Sequence, residues 1–516
     1  MSTKTSNYTY DLIENYYLKN LTEQNFWLFG SRSQRENVTT TLDSNKELFD
    51  VLSKTVFGVE LNPLDFSFML RSIFWESGII YDKYDDAEVL SDKSFYAIVE
   101  PEDETGSYEV FKCISNNYGS PSTAKPQIDA SINNVDGLYN LSDGYIWKYM
   151  TSIPFLLFKK FSARGFVPIP RNQQVESIAS DGINFIEVEN FEENFGYQKL
   201  EGTVNSQTSA NIYRLNVTGF FEVINGYRDS VLYVESQEAG VKVYDITGSR
   251  QVGQTLEVTL SGDIFTDFNQ NDAITIQVLP KIVIRGNGQN VNAIPTFNSD
   301  RTRINGIRIL DPGEGYTIAS ATVIDPSYFS QAEVSAVRAR LRPIISPAGG
   351  HGTNIIKELR SKTIGISGSI SSLGTSVTDT GSYTNIALVK NPNFSESFTE
   401  TSFDNRLKVE LAGANPTAAL VVGDEVSQIQ GNETIRGIIH EIEDNNTIYL
   451  VDYIGPHQAK FDSSFQLIVR NSVFNINNIQ ESDYVAGTGN IFYVTDFLPV
   501  ERSSDKTEQI KLLIDF

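Results

Sequence analysis

The spacing of apolar residues changes character along the chain. In DSNKELFDVLSKTVFG, residues 43–58, Leu48, Val51, Leu52, Thr55 and Val56 recur at helical spacing. Ser44 with Glu47 three residues on forms a capping box, in which each side chain satisfies a backbone donor of the other's residue. Gly58 follows as a C-terminal stop. An earlier amphipathic segment runs from Tyr10 to Leu21, so residues 1–60 are expected to be helical. After residue 90 the period becomes two. FYAIVE, YEVFKCIS and YIWKYM are short, aromatic and β-branched, and Gly, Pro, Asn and Asp bound them. From about 200 to 465 the chain reads as strand and turn throughout. The last segment, EQIKLLIDF, places Ile510, Leu512, Ile514 and Phe516 on one face and predicts a C-terminus anchored in a sheet.

This pattern predicts a mainly β chain, α+β at the N-terminus, with a multi-domain β-sandwich and barrel architecture. Three modules stand out in the middle. The first, roughly 205–283, alternates in YRLNVTGFFEVI, SVLYVES and VKVYDIT, as in a small barrel or sandwich. The second, roughly 284–345, contains Gly313-Glu314-Gly315-Tyr316, where tight turns demand positive φ and Tyr316 can fold back onto a strand pair. The third, roughly 396–465, has strands joined by turns such as Asn445-Asn446, as in a small SH3-like barrel.

Length and charge narrow the function classes. A chain of 516 residues exceeds one core, and about three or four units are expected. No apolar run reaches the roughly 20 residues that a membrane span requires, and the N-terminus shows no secretory h-region. The formal charge of −24 argues against a nucleic-acid partner, which needs clustered positive charge. It fits solubility or contact with basic partners.

Reactive residues are scarce. One cysteine excludes an internal disulfide. With His351, His440 and His457 as the only histidines, a dedicated zinc site is not expected. There is no G-x-S-x-G elbow and no phosphate-binding Walker loop. Cys113, in YEVFKCIS, shares a face with Phe111, while Lys112 points to the other, so the thiol reads as a small buried hydrophobe. Gly286-Asn287-Gly288 lacks the third glycine of a dinucleotide fingerprint, Val291 standing there, and reads as a hairpin turn. His440, beside Glu441, Glu443 and Asp444, reads as part of a solvated hairpin. His351, in SPAGGHGTN, reads as part of an exposed turn between modules, with Gly349, Gly350 and Gly352. Asp85-Asp86 and Glu102-Asp103-Glu104 read as solvated loops, and no carboxylate pair is singled out as catalytic. No catalytic, cofactor-binding or metal-binding residue is assigned, and no cofactor is expected.

Several stretches, taken in order, resemble a known family. They are WLFGSR, MLRSIFWESGIIYDKYDD, YEVFKCISNN with DGYIWKYMTSIP, GFVPIP, YTNIALVKNP at 383–392, and the C-terminal GNIFYVTDFLPVERSSDKTEQIKLLIDF. Together they resemble the baseplate wedge subunit of T-even-type contractile-tail bacteriophages that forms a dimer within each wedge. The likeness covers about 1–200, 340–395 and 466–516. It departs where RSQRENVTT replaces the Pro-Trp expected after WLFG, and in two apparent insertions. The implied organisation is 1–200 for N-terminal helices and the first part of a wedge-type β core, and 201–340 for inserted β-modules with the GEGYT unit. Residues 341–395 return to the core, 396–465 form the inserted SH3-like barrel, and 466–516 supply the strands that complete the core.

The resemblance implies a structural, non-enzymatic virion protein of the viral tail baseplate, assembled in the host cytoplasm. It would pair with itself as a homodimer and join other baseplate wedge subunits, with neither nucleic acid nor membrane as partner. The aromatics of 8–29 and 66–84 are candidates for the dimer face. Two alternatives stay open: a tail adhesin whose inserted β-modules bind host glycan, and a glycan-degrading tail enzyme on the same β-rich body.

Overall fold

The computed structural model describes residues 6–32, 45–90, 92–128, 137–220, 223–236, 240–261, 269–325, 337–369, 383–453, 459–500 and 509–516. The chain is mostly β, with several sheets, a closed barrel and a few N-terminal helices. It divides into two compact units. One comprises residues 1–72, 154–170 and 361–516, and the other residues 73–153 and 171–360. The span 1–200 is thus shared between them.

In the first unit, the opening helical segment runs from Ser6 to Glu23, with a π-helical middle at Leu12–Leu18. The helical expectation over 1–60 holds only in part, because Phe26–Ser31 and Thr55–Leu61 are strands. The helix between them, Asn45–Ser53, buries Val51 and Leu52 and stops before Thr55. Ser44, the proposed cap, lies outside the described residues. Helical spacing misled past residue 53 because TVFGVEL is a continuous apolar run, and a strand covered on both faces has no alternation to reveal it.

Gly58 is therefore a sheet residue. Across the pair Phe26–Ser31 and Thr55–Leu61, Phe29 faces Gly58 and Gly30 faces Phe57. A Cβ on Gly30 would fall 2.3 Å from the Phe57 ring, and one on Gly58 would fall 2.2 Å from the Phe403 ring. The glycines let aromatic rings lie flat over the backbone. Trp27, Phe29, Phe394, Phe398, Phe403 and Tyr484 build the core on these strands, with Phe394 and Phe398 stacked at 4.4 Å.

Three antiparallel sheets complete this unit. In the first, the strands lie in the order Ser402–Asp404, Thr55–Leu61, Phe26–Ser31, Tyr383–Lys390, Asn490–Val500. The second runs Gln509–Asp515, Thr363–Ser369, Phe66–Arg71, Phe166–Pro168. Its edge strand is the C-terminal one, which pairs residue by residue with Thr363–Ser369. The third has seven strands between Leu407 and Gln480 and buries Val409, Val426, Ile435, Ile439 and Leu450 completely. The stretch expected as a small barrel contributes to this sheet, which runs on past residue 465.

The second unit contains a four-stranded sheet ordered Tyr96–Val99, Tyr108–Asn116, Tyr145–Ile153, Leu138–Asn140. It also holds a closed barrel. Six strands between Lys199 and Gln277 close when the first, Lys199–Ser209, pairs with the last, Ala273–Gln277. The barrel is filled by Leu215, Tyr227, Val234, Val258 and Ile276, all fully buried. Beyond it, Lys281–Gly286 pairs with Ala319–Ile324, and Asn292–Phe297 pairs with Ile304–Asp311.

Gly286-Asn287-Gly288 is therefore not a hairpin turn, since the strand before it pairs with Ala319–Ile324 instead of with the strand after it. Asn287 Oδ1 accepts from the Thr317 and Ile318 N–H groups at 3.0 and 3.1 Å, tying the two strand pairs together. Gly313 and Gly315 adopt φ of 65° and 77°, and Tyr316 folds back and is buried. A Cβ on Gly288 would fall 2.4 Å from its ring.

Candidate functional site

The second strand of the four-stranded sheet has a different environment on each face. Register shifts at Val110/Phe111 and Cys113/Ser115 set which side chains point inward. On one face Cys113 is enclosed among Tyr81, Ala97, Phe111, Tyr139, Tyr145 and Trp147. Burial pushes its thiol well above the ordinary range. A thiol with so little thiolate packs and does not react.

Lys112 points the other way and is also fully buried. Its Nζ donates to Glu358 Oε2 at 2.8 Å and to His351 Nδ1 at 2.9 Å, and sits 4.0 Å from the centre of the Tyr84 ring. Tyr84 meets the His351 ring edge-on at 4.8 Å and donates its hydroxyl proton to the Ile345 carbonyl. Glu358 ends the short helix Ile355–Glu358, which Asn354 caps through the Lys357 N–H. Its other oxygen, Oε1, accepts from the Gly352 N–H at 2.7 Å and the Asn354 N–H at 3.4 Å. The loop that supplies these donors needs its glycines. Gly350 and Gly352 have φ of 92° and 102°, and a Cβ on Gly350 would fall 2.0 Å from the Ser180 carbonyl oxygen.

The electrostatics follow from enclosure. Burial pulls the Lys112 ammonium below its ordinary range. Burial alone would push Glu358 up, but the Lys112 charge and then His351 outweigh it and hold the carboxyl at about 2. Burial and the neighbouring lysine hold His351 at about 4, so it is a neutral imidazole at neutral pH. Lys148 faces Lys112 across the strand pair and is buried as well. His351 is thus no exposed turn residue, because the Gly-rich loop folds inward over the sheet.

Two further charge clusters correct the sequence reading. Asp85, expected in solvent, is buried and accepts both terminal nitrogens of Arg342, which also reaches Glu187 at 3.0 Å. Glu187 pairs in turn with Lys83. In the first unit, Arg406 is buried, forks onto Asp404 through Nε and Nη2, and reaches Glu441 through Nη1. Its guanidinium carbon lies 4.4 Å from the Tyr449 ring centre. His440 is buried rather than solvated, because the register shifts between Ile439 and Glu441. Burial, then the charges of Arg406 and Arg32, hold it at about 4. Its Nδ1 lies 3.4 Å from Arg32 Nη1. Glu102, Asp103 and Glu104 are exposed. His457 lies outside the described residues.

The aromatics expected at a dimer face are largely interior. Phe26, Trp27, Phe29, Phe66, Phe68, Tyr81 and Tyr84 are buried within the chain, and Tyr8 is exposed. They are apolar enough for an interface, but the sheets use them first.

Two concavities of the first unit stand out among the described residues. One, of about 250 Å³, has Phe49, Leu407, Tyr453, Phe461 and Tyr484 in its wall and the Lys460–Glu481 ion pair beside it. Its other carboxylate, Asp483, accepts from the Ser395 hydroxyl at 2.6 Å. The second, of about 290 Å³, is lined by Tyr383, Ile386, Tyr493, Ile510 and Leu512 among others. Neither presents two unengaged carboxylates facing each other, the arrangement glycoside hydrolysis requires. Among the described residues, no group of three or more His, Cys, Asp and Glu is placed to hold a metal ion. Nor is any helix among them long and apolar enough to cross a membrane. No family model matches the chain, and no curated protein matches it.

Proposed function

We propose that the chain is a structural subunit of a contractile-tail phage baseplate wedge, acting as a homodimer that joins other wedge subunits and catalysing nothing on an external substrate. One observation carries the reading: segments that resemble the wedge family lie beside one another in space. WLFGSR, YTNIALVKNP and GNIFYV fall on three strands that are consecutive neighbours in one sheet, although over 450 residues separate the first from the last. MLR and GFVPIP fall on paired strands of a second sheet, whose edge is the C-terminal strand. YEVFKCISNN and DGYIWKYMTSIP pair with each other in the other unit. A likeness scattered by chance would have no reason to assemble into shared sheets.

The burial of charge supports the same reading. Lys112, Glu358, His351 and Arg406 are sealed among their own partners and away from solvent. Groups sealed in this way specify a fold and cannot meet a diffusing substrate. Imaging the intact particle by electron cryomicroscopy tests the proposal directly, and density for this chain at the distal plate of the tail is expected. Light scattering of the purified chain should return a dimer mass. Density elsewhere on the particle, or turnover of a polysaccharide by the pure chain, would overturn the reading.

A further inference from the structure

We infer that Lys112 and Glu358 are the two halves of an intramolecular amide cross-link that the folded chain makes on itself, with His351 carrying the proton. The three side chains are 0–4% exposed, and their atoms are already divided by role. Lys112 Nζ, the nucleophile, is 2.8 Å from Glu358 Oε2 and 2.9 Å from His351 Nδ1. Glu358 Oε1 receives the Gly352 and Asn354 N–H groups. Two backbone donors on one carboxyl oxygen are what a tetrahedral intermediate needs, because negative charge develops on the oxygen that stays. Oε2, which faces Lys112 and lies 3.8 Å from His351 Nδ1, is the oxygen placed to leave.

The step balances without a co-reactant. The resting pair is an ammonium and a carboxylate. Moving one proton from Lys112 to Oε2 gives the neutral amine and acid, the minor tautomer in which the lysine has a lone pair to attack with. The amine lone pair then attacks Glu358 Cδ. A second proton leaves nitrogen for His351 Nδ1 and passes to Oε2, the Cδ–Oε2 bond breaks, and one water departs. The new bond is Nζ–Cδ, the amide keeps one N–H, and nothing is oxidised or reduced. A neutral His351, and a Lys112 ammonium pulled down by burial, suit these roles. The product replaces two buried charges by one neutral amide, which relieves their desolvation. Proximity makes the reaction unimolecular, so it needs no turnover, only time.

Intact mass spectrometry of the full-length chain tests this without any variant. The expected mass is lower than the sequence mass by one water, and a protease digest should contain a branched peptide joining the strand around Lys112 to the segment around Glu358. E358Q would release ammonia instead, so the linked variant should have the same mass as the linked parent. K112R keeps the charge, cannot form this amide, and should show its full sequence mass. His351→Asn should slow the loss of water in freshly made protein. A parent chain at full sequence mass after prolonged storage, with no branched peptide, would overturn the inference and leave an ordinary buried ion pair. Water lost at another position, with residues 112 and 358 recovered in separate linear peptides, would overturn it equally.

Discussion

Lys112 reaches its carboxylate across 246 residues of chain, whereas Arg406 takes Asp404 from two residues away and Glu441 from 35. Both cations are buried, both lie against a tyrosine ring, and each has a neutral histidine in its cluster. The difference lies in how the charge is matched. Arginine presents a rigid fork, and a carboxylate two residues along the same chain can fill two of its prongs. Lysine is a point charge with three donors, and it gains directionality only from partners that a distant loop brings in. The arginine cluster is therefore nearly a local feature, while the lysine cluster depends on the tertiary fold.

Four experiments sharpen that contrast. Measured against parent chain still at its full sequence mass, the largest effect is expected from Lys112→Met, which leaves Glu358 buried without its cation and should destabilise by about 3–5 kcal/mol in a denaturant titration. Adding Glu358→Leu should recover most of that loss, because removing both charges also removes their desolvation cost. If the double variant is no better than the single, the pair is not the unit described. Next comes Arg406→Lys, which keeps the charge and loses the fork; about 2 kcal/mol is expected, and an unchanged midpoint would make the fork irrelevant.

The third experiment is pH. His351 and His440 are held at about 4, below the ordinary histidine value of 6.5, so the folded chain binds fewer protons than the unfolded one. Their contribution is complete above 6.5 and is lost as pH falls from 6.5 towards 4, by about 1–3 kcal/mol per histidine. His440→Phe should flatten that part of the stability profile, and an unaltered slope would contradict the burial of His440. The smallest effect is expected from Tyr449→Leu, about 1 kcal/mol, through loss of the ring beneath Arg406.

What the sequence made legible follows the same division between local and distant. Period-two alternation after residue 90, the positive-φ glycines of GEGY and the final strand could be read because neighbours in sequence decide them. The packing role of Cys113 was legible in the same way, from its alternation with Phe111. The inward turn of His351 was not, because it depends on Gly350 and Gly352 fitting against residues far upstream. His440 was misread because alternation assumes a regular ladder, and one shifted register turned it inward. The Lys112 cluster left no trace, since no spacing rule links a strand lysine to a helix-end glutamate 246 residues on. The strands Phe26–Ser31 and Thr55–Leu61 were missed because a strand buried on both faces has lost its alternation.

The closed barrel has a mechanical consequence. Its chain enters at Lys199 and leaves at Gln277, and those two residues are partners on the same rung of an antiparallel pair. Tension along the polypeptide would load that rung alone and then the next, peeling the pair open like a zipper instead of shearing all its rungs at once. Under force this module would yield early and pay out slack, so stretching single molecules between the barrel's ends should show unfolding at low tension.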